Sequence, residues 1–409
     1  MSPRSGTGLA KSVDEVRADM PFLRTGIIYL DNAATTPTPE PVIDAMLGYY
    51  HEYSANAGRG LHRAARRATE EFESVREKIA QVINAKADEI AYTKNTTEAI
   101  NVVSQGLGLK KGDRVIASLF EHHSNLLPWQ RLERERGVEL EIVGSSKECL
   151  LDPSEFEAAI DKRTRLIATH HVSNAMGAVQ PVEEIGKMAR EHGVLYLIDA
   201  AQSVGHMPVD VRKIGCDFLA GPGHKGLLGP KGTGFLYAGE GRFSELEPLL
   251  VGGGIVEDAG PHSSKLLGPP QLFDAGTPNI PGIIGLGRAC EYVLEIGIEK
   301  IAERERKLTE QMLKISDIGR VEVYGPHDLA RRGGVVSFNV EGLGHHDVAS
   351  MLDELAKIAV RSGHHCAQPT MRHLKINGTV RASVHYFNLE QEIKKFVEVL
   401  GQVASELGG

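Results

Sequence analysis

The strongest constraint on this chain is its alternation of short apolar runs with amphipathic helical stretches. Val115–Ala117, Leu166–Thr169, Val194–Ile198 and Asp217–Ala220 are short, apolar and bounded by polar residues, as strands buried on both faces must be. Helical patterns lie between and before them. Ala65, Ala68, Phe72, Val75, Ile79 and Val82 recur at spacings of three and four, which puts one apolar stripe along a helix. Another helix opens at Asp152, with Pro153 at its first position and Glu155 at its third. The alternation predicts an α/β fold with a mostly parallel central sheet wrapped by helices.

A chain of 409 residues exceeds what one core fills, so a large domain and a smaller one are expected. The pattern loosens into Gly and Pro around Gly252–Gly254 and Gly276–Gly287. A long helical pattern over about 282–315 follows, then strands near Val335–Val340 and Ile358–Val360. The expected division is a tail and helix over 1–28 packing with the small domain, a large domain over 29–280, and a small α+β domain over 281–409. Met1–Lys11 is Ser/Gly-rich without the apolar stretch of a secretory signal and reads as a frayed tail; Ser12-x-x-Glu15 has the spacing of a capping box.

Composition excludes several function classes. The formal net charge of -8 argues against nucleic acid or an anionic membrane as the main partner. No apolar run is long enough to span a bilayer. The four cysteines, Cys149, Cys216, Cys290 and Cys366, form no CxxC pair and have no histidine at zinc-ligand spacing. Neither a disulfide framework nor a metal site is expected, and a reducing cytoplasm is the default location.

The candidate chemistry begins at Asp199, which follows the apolar run Val194–Ile198 where strands of an open α/β sheet end and ligands bind. A carboxylate there either holds a ring nitrogen protonated or serves as a turn residue. Gln202 either donates to a phenolate oxygen or is a polar loop residue. Gly221-Pro-Gly-His-Lys225-Gly sets a lysine among small residues that let a bulky cofactor approach the backbone. A desolvated lysine loses its proton readily, as Schiff-base chemistry requires. Gly221-x-Gly223-x-x-Gly226 imitates a dinucleotide fingerprint, but the following Gly229-Pro230 and Gly232 exclude the helix that motif needs.

Further candidates are weaker singly. His122 and His123, read as extended chain, point to opposite sides, so one ring can lie on an aromatic cofactor. Thr96-Thr97-Glu98 opens a helix, where hydroxyls and free N–H groups either bind phosphate or simply cap the helix. Thr277 sits in a Gly/Pro-bounded loop of the kind that contacts phosphate. Cys366 lies in Arg361-Ser-Gly-His-His-Cys, where Arg361, His364 and His365 can favour its thiolate. Cys216 and Cys290 read as buried apolar residues. Arg381 either clamps a carboxylate or forms an ordinary ion pair.

Taken in order, Tyr-Leu-Asp31-Asn-Ala-Ala-Thr-Thr, Thr96-Thr97-Glu98, Glu-His122-His-Ser-Asn, His-Val-Ser-Asn174, Ile-Asp199-Ala-Ala-Gln202-Ser, Gly-His224-Lys225, Ala-Gly-Thr277-Pro-Asn and Arg-Ser-Gly-His-His-Cys366 resemble the cysteine desulfurases of the class V aminotransferase family. The similarity is greatest to the group II branch of SUF-type iron–sulfur assembly, and it runs from about residue 20 to the end. The resemblance implies the type I fold of pyridoxal 5'-phosphate (PLP) enzymes. It implies that Lys225 carries the cofactor, Asp199 pairs with its ring nitrogen, Gln202 faces its ring oxygen and His122 stacks on it. Thr96, Thr97 and His224 would hold the phosphate, with Thr277 arriving from the partner subunit of a homodimer. Arg381, assisted by Asn174 and Arg361, would bind the carboxylate of L-cysteine. Cys366 would take the sulfur and pass it to an acceptor protein of iron–sulfur assembly, and selenocysteine would react similarly. Two positions depart from the group: Pro222, often serine there, and Gly58, often histidine. Another PLP enzyme of the same fold with an incidental Cys366, or a non-catalytic binding protein, are the alternative readings.

Overall fold

A computed structural model describes residues 11–406; the tail expected over Met1–Lys11 lies almost wholly outside them. The first described helix, Val13–Ala18, begins with the expected capping box. Glu15 N donates to Ser12 Oγ, and Ser12 N donates to the Glu15 carboxylate at 2.7 Å.

Seven strands form the central sheet, in the order Ile90–Thr93, Gly234–Ala238, Phe218–Pro222, Leu195–Asp199, Thr164–His170, Arg114–Ser118, Glu139–Val143. Gly234–Ala238 runs antiparallel to both neighbours, and every other neighbouring pair is parallel. The exception follows from its connection. The Gly- and Pro-rich loop after Pro222 contains no helix, so the chain returns by a turn instead of a crossover.

The apolar runs alternate between two cores. Ile116, Ile167, Ile198 and Leu219 enter one cluster; Val115, Leu166, Leu197 and Phe218 enter the other. The two clusters lie on opposite faces of the sheet, because successive side chains of a strand point to opposite sides. Helix Arg63–Ile83 buries the whole predicted stripe, with Ala68, Phe72, Val75, Ile79 and Val82 in the first cluster, and Thr96–Gly106 buries Ile100 and Val103 in the second.

A four-stranded antiparallel sheet, in the order Val321–Tyr324, Val335–Val340, Thr379–Ser383, Arg361–Gly363, builds a third core with helices Ile298–Met312 and Glu390–Glu406. The long helical pattern expected over about 282–315 is two helices, Ile280–Ile296 and Ile298–Met312, broken at Gly297 with φ 91°. The first packs on Glu40–Glu52 and Arg63–Ile83 and buries Ile283, Leu286, Cys290 and Val293 in the large core. The change of core falls within the second helix, after residue 281, since Ile298 and Ile301 still enter the large core. The apolar residues of the first helix match the large core, whereas Leu308 and Met312 of the second face the small one.

The N-terminal segment contacts both parts. Val16 and Met20 enter the large core, Arg17 pairs with Glu392, and Ile28–Tyr29 lies parallel to Ile358–Ala359. Among the described residues no helix is long and apolar enough to cross a membrane.

Candidate active site

Register sets the site. His170 pairs with Asp199, and Asp199 with Ala220, so three parallel strands end level and deliver His170, Asp199 and the Gly221–Lys225 segment to one edge. A cavity of about 360 Å³ opens there. Thr96, Thr97, His122, Asn174, Asp199, Gln202, His224, Lys225, Arg361, Cys366 and Arg381 all line it. Thr277 does not; it is exposed and lines a separate cavity of about 170 Å³ beside Lys94 and Glu98.

Asp199 and Lys225 form the floor. Asp199 is buried and accepts the Ala201 N–H at 2.9 Å; burial pushes its carboxyl above the usual range, against that bond and the pull of Lys225. Lys225 is pushed down to about 8 by desolvation, which outweighs the attraction of Asp199. Gln202 reaches the same wall with its amide N–H on Ala33 O at 2.8 Å.

His122 is itself extended, with φ -61° and ψ 149°, but the chain turns directly after it. It caps a short 3-10 turn over His123–Asn125, and its Nδ1 accepts the Ser124 N–H at 3.0 Å. The ring proton is therefore on Nε2. Burial, then the charge of Lys225, pushes the imidazole down to about 3, leaving a neutral flat ring on the cavity wall.

At the opposite end stands the N-terminus of helix Thr96–Gly106. Asn95, not a threonine, caps it: Asn95 Oδ1 accepts the Glu98 N–H at 2.9 Å. That frees Thr96, whose buried Oγ1 has no partner among the described residues; His224 Nδ1 is likewise buried and unpaired. Thr97 Oγ1 lies 2.7 Å from Ser124 Oγ. Unpaired donors converging on a helix N-terminus suit a phosphate dianion. Pro222 lines the same end and brings no N–H.

Arg381 occupies the roof, buried, with Nη1 on Asn174 O at 2.9 Å and Nη2 on Asp31 Oδ1 at 3.3 Å. Its Nε is unpaired among the described residues. Arg361 is half-exposed and grips Asp31 through Nε at 3.1 Å and Nη2 at 2.7 Å. Asp31 thus bridges both arginines. A buried carboxyl beside a lysine, a flat neutral imidazole and a phosphate cradle fit pyridoxal 5'-phosphate, and the unpaired Nε of Arg381 fits a substrate carboxylate.

Residues 28–396 match the aminotransferase class-V family. The chain belongs to that family. Its relatives include probable cysteine desulfurases of Methanothermobacter thermautotrophicus, 51% identical over 96% of this chain and 98% of that one, and of Pyrococcus abyssi, 50% identical over the same shares. Among solved structures, the apo cysteine desulfurase of Thermococcus onnurineus NA1 superposes with a TM-score of 0.95 at 47% identity, covering 98% of this chain and all of that one. An Escherichia coli cysteine desulfurase in an S-sulfonic acid form gives 0.90 at 31% identity, covering 98% of this chain and 100% of the other.

Of the four cysteines of this class-V chain, Cys149, Cys216 and Cys290 are buried and Cys366 is exposed. Burial pushes the thiols of Cys149 and Cys290 up to about 12 and that of Cys216 higher still. Cys366 stands on a strained loop: His365 and Cys366 both have positive φ, 52° and 55°. The loop is tied from both sides, by Asn174 Nδ2 on His365 O at 2.6 Å and by His123 N on Cys366 O at 2.9 Å. One expectation is corrected here. His365 does not supply charge to the thiol, because it is buried with Nε2 2.9 Å from Thr379 Oγ1 and is pushed down to about 2. Arg361 pairs with Asp31 and keeps its charge, which also acts on the Cys366 thiol.

Three residues of the site escaped the sequence. Asn95 carries a capping signal, an Asn three residues before Glu98. Asp31 stood in the motif without a role, and Ser124 had no local signal, since its meaning is the contact to Thr97.

Proposed function

We propose that the protein is a PLP-dependent cysteine desulfurase, converting L-cysteine to L-alanine and leaving the sulfur as a persulfide on Cys366. The observation that carries this reading is one cavity lined both by a desolvated lysine and by an exposed cysteine on a braced loop.

Lys225 would carry the cofactor, Asp199 would meet its ring nitrogen, His122 would lie on its ring and Gln202 near its ring oxygen. Thr96, Thr97 and His224 would hold the phosphate, with Thr277 of a second copy completing it in a homodimer. Bound there, PLP supplies an electron sink for the substrate's α-carbon. A protonated ring nitrogen there would favour the ionised form of buried Asp199 against its desolvation. Arg381 would take the substrate carboxylate through its unpaired Nε edge, steadied by Asp31 and Asn174, with Arg361 at the rim. Lys225, with an amine pushed down to about 8, is suited to take the α-proton and return one to carbon.

The sulfur step balances without an outside oxidant. The Cys366 thiolate attacks the substrate sulfur, an S–S bond forms and the C–S bond breaks. The bonding pair stays on carbon, which gains a proton and becomes the alanine methyl group. Because Cys366 is exposed, an acceptor protein can reach the persulfide. Delivery to iron–sulfur assembly and turnover of selenocysteine belong to the same proposal.

The test is alanine and sulfide yield from L-cysteine, with and without a thiol reductant. Cys366→Ala should keep the visible absorbance of bound PLP and lose sulfur release. Undiminished cysteine turnover in that variant would refute the assignment of Cys366 and leave another class-V reaction. Lys225→Ala should abolish the internal lysine-linked chromophore.

A further inference from the structure

Outside the cavity lining lies a buried group that the proposed mechanism does not use. His206 comes from the loop after strand Leu195–Asp199, Glu305 from helix Ile298–Met312, and His385 from the turn before helix Glu390–Glu406. Their candidate ligand atoms lie within 4.8 Å of one another. Two histidines and a glutamate are a zinc-type donor set. The hydrogen bonds oppose that reading. His385 Nδ1 accepts the Tyr386 N–H at 2.7 Å, so its proton is on Nε2, which lies 3.2 Å from Gly226 O. Neither nitrogen has a lone pair left for a metal.

That contact falls on Gly226, the residue just after Lys225. His224 O accepts from Thr36 N at 3.0 Å, Lys225 O from Thr36 Oγ1 at 2.8 Å, and Gly226 O from His385. Three consecutive carbonyls across the lysine are thus each held from outside the segment. The 204–206 loop presses on the same residue: a Cβ on Gly226 would lie 2.4 Å from Val204 O and 2.6 Å from His206 Cδ2. His206 is fixed in turn by Glu305, its Nδ1 lying 3.0 and 3.1 Å from the two carboxylate oxygens. The two imidazole rings stand 5.0 Å apart, centroid to centroid.

We infer that His206, Glu305 and His385 form a positioning cluster for Lys225, fixing Gly226, the residue that follows it, and so the direction from which its amine enters the cavity. The inference rests on the reading of Lys225 as the cofactor-bearing residue. Burial pushes His206 and His385 down to about 4 and Glu305 up to about 8, so near neutral pH no charge from this side competes with Asp199 for the lysine. The other charged or titratable groups facing Lys225 are Asp199, Arg381, Cys366 and Asp31, with His122 and His224 beside it.

The experiment is a spectrophotometric pH titration of the visible band of the PLP-loaded full chain, with kcat and KM for cysteine measured alongside. His385→Gln keeps an N–H donor, and His385→Leu keeps much of the volume without one. The leucine variant should move the titration midpoint by about one pH unit, and the glutamine variant should stay within about 0.3 unit of wild type. If both variants titrate like wild type, the inference is overturned. If both are displaced equally, packing and not the hydrogen bond is acting, and it is overturned as well. Should His385→Leu fail to fold, Glu305→Gln decides: a midpoint moved the same way supports the cluster, and an unmoved one refutes it. A wild-type chain that takes up no PLP would instead refute the proposed function.

Discussion

Arg381→Lys isolates the carboxylate clamp without removing its charge. In the wild type one buried guanidinium makes three uses of its edges: Nη1 on Asn174 O at 2.9 Å, Nη2 on Asp31 at 3.3 Å, and an Nε with no partner among the described residues. A lysine ammonium is a point donor and cannot present a planar pair of N–H groups to a substrate carboxylate while keeping both protein contacts. At least one charge-assisted hydrogen bond is lost, worth about 1.5–3 kcal/mol. At about 1.4 kcal/mol per decade, that is a fall in kcat/KM of roughly tenfold to ~150-fold. The carboxylate is bound before and during the reaction, so most of the fall should appear in KM and little in kcat. Alanine formation measured against cysteine concentration gives both constants, and a parallel thermal unfolding curve separates a binding loss from a folding loss. A kcat/KM within about threefold of wild type, in a folded and fully loaded protein, would refute the clamp.

Other predictions concern the floor and its supports. In the cofactor-free protein, labelling of Lys225 by an amine-directed reagent should rise with a midpoint near pH 8, as followed by peptide mass spectrometry. A midpoint above about 10 would show that the amine is not desolvated. Glu305, raised to about 8 from an ordinary 4.5, favours folding through its protonated form; that contribution is complete below pH 4.5 and lost as pH rises through 8. The Tm of wild type should therefore fall relative to Glu305→Gln between those limits, and parallel Tm curves would contradict it. Gly226→Ala forces the 204–206 loop aside and should cost about 1–3 kcal/mol of stability, with weaker PLP retention on dialysis; unchanged unfolding would show that the crossing is loose.

The features legible in the sequence are those whose causes are local or periodic. The alternation of apolar residues at Val115–Ala117 and Leu166–Thr169 already divides the sheet into two faces, because the strand period is two wherever the strand lies. Ser12 and Glu15 name their own capping box. Lys225 stands out because small residues surround it in the chain itself, and a chain that crowds glycine around a cation is making room for something large.

The remainder depends on which segments meet. Whether Thr96 is a cap or a free hydroxyl was decided by the Asn95 side chain taking the Glu98 N–H. Asp31 acquires its role only where it meets Arg361 and Arg381, more than three hundred residues away. Cys366 is set apart from three buried cysteines by a left-handed loop that Asn174 and His123 brace from beyond the ends of central-sheet strands, while the adjacent His365 turns inward and is neutral. Desolvation and long-range hydrogen bonds are properties of packed surroundings, so no reading of neighbours along the chain could assign them. The residue types and their order pointed to the chemistry; tertiary packing decided which donors are free, which charges are silenced and which thiol faces the solvent.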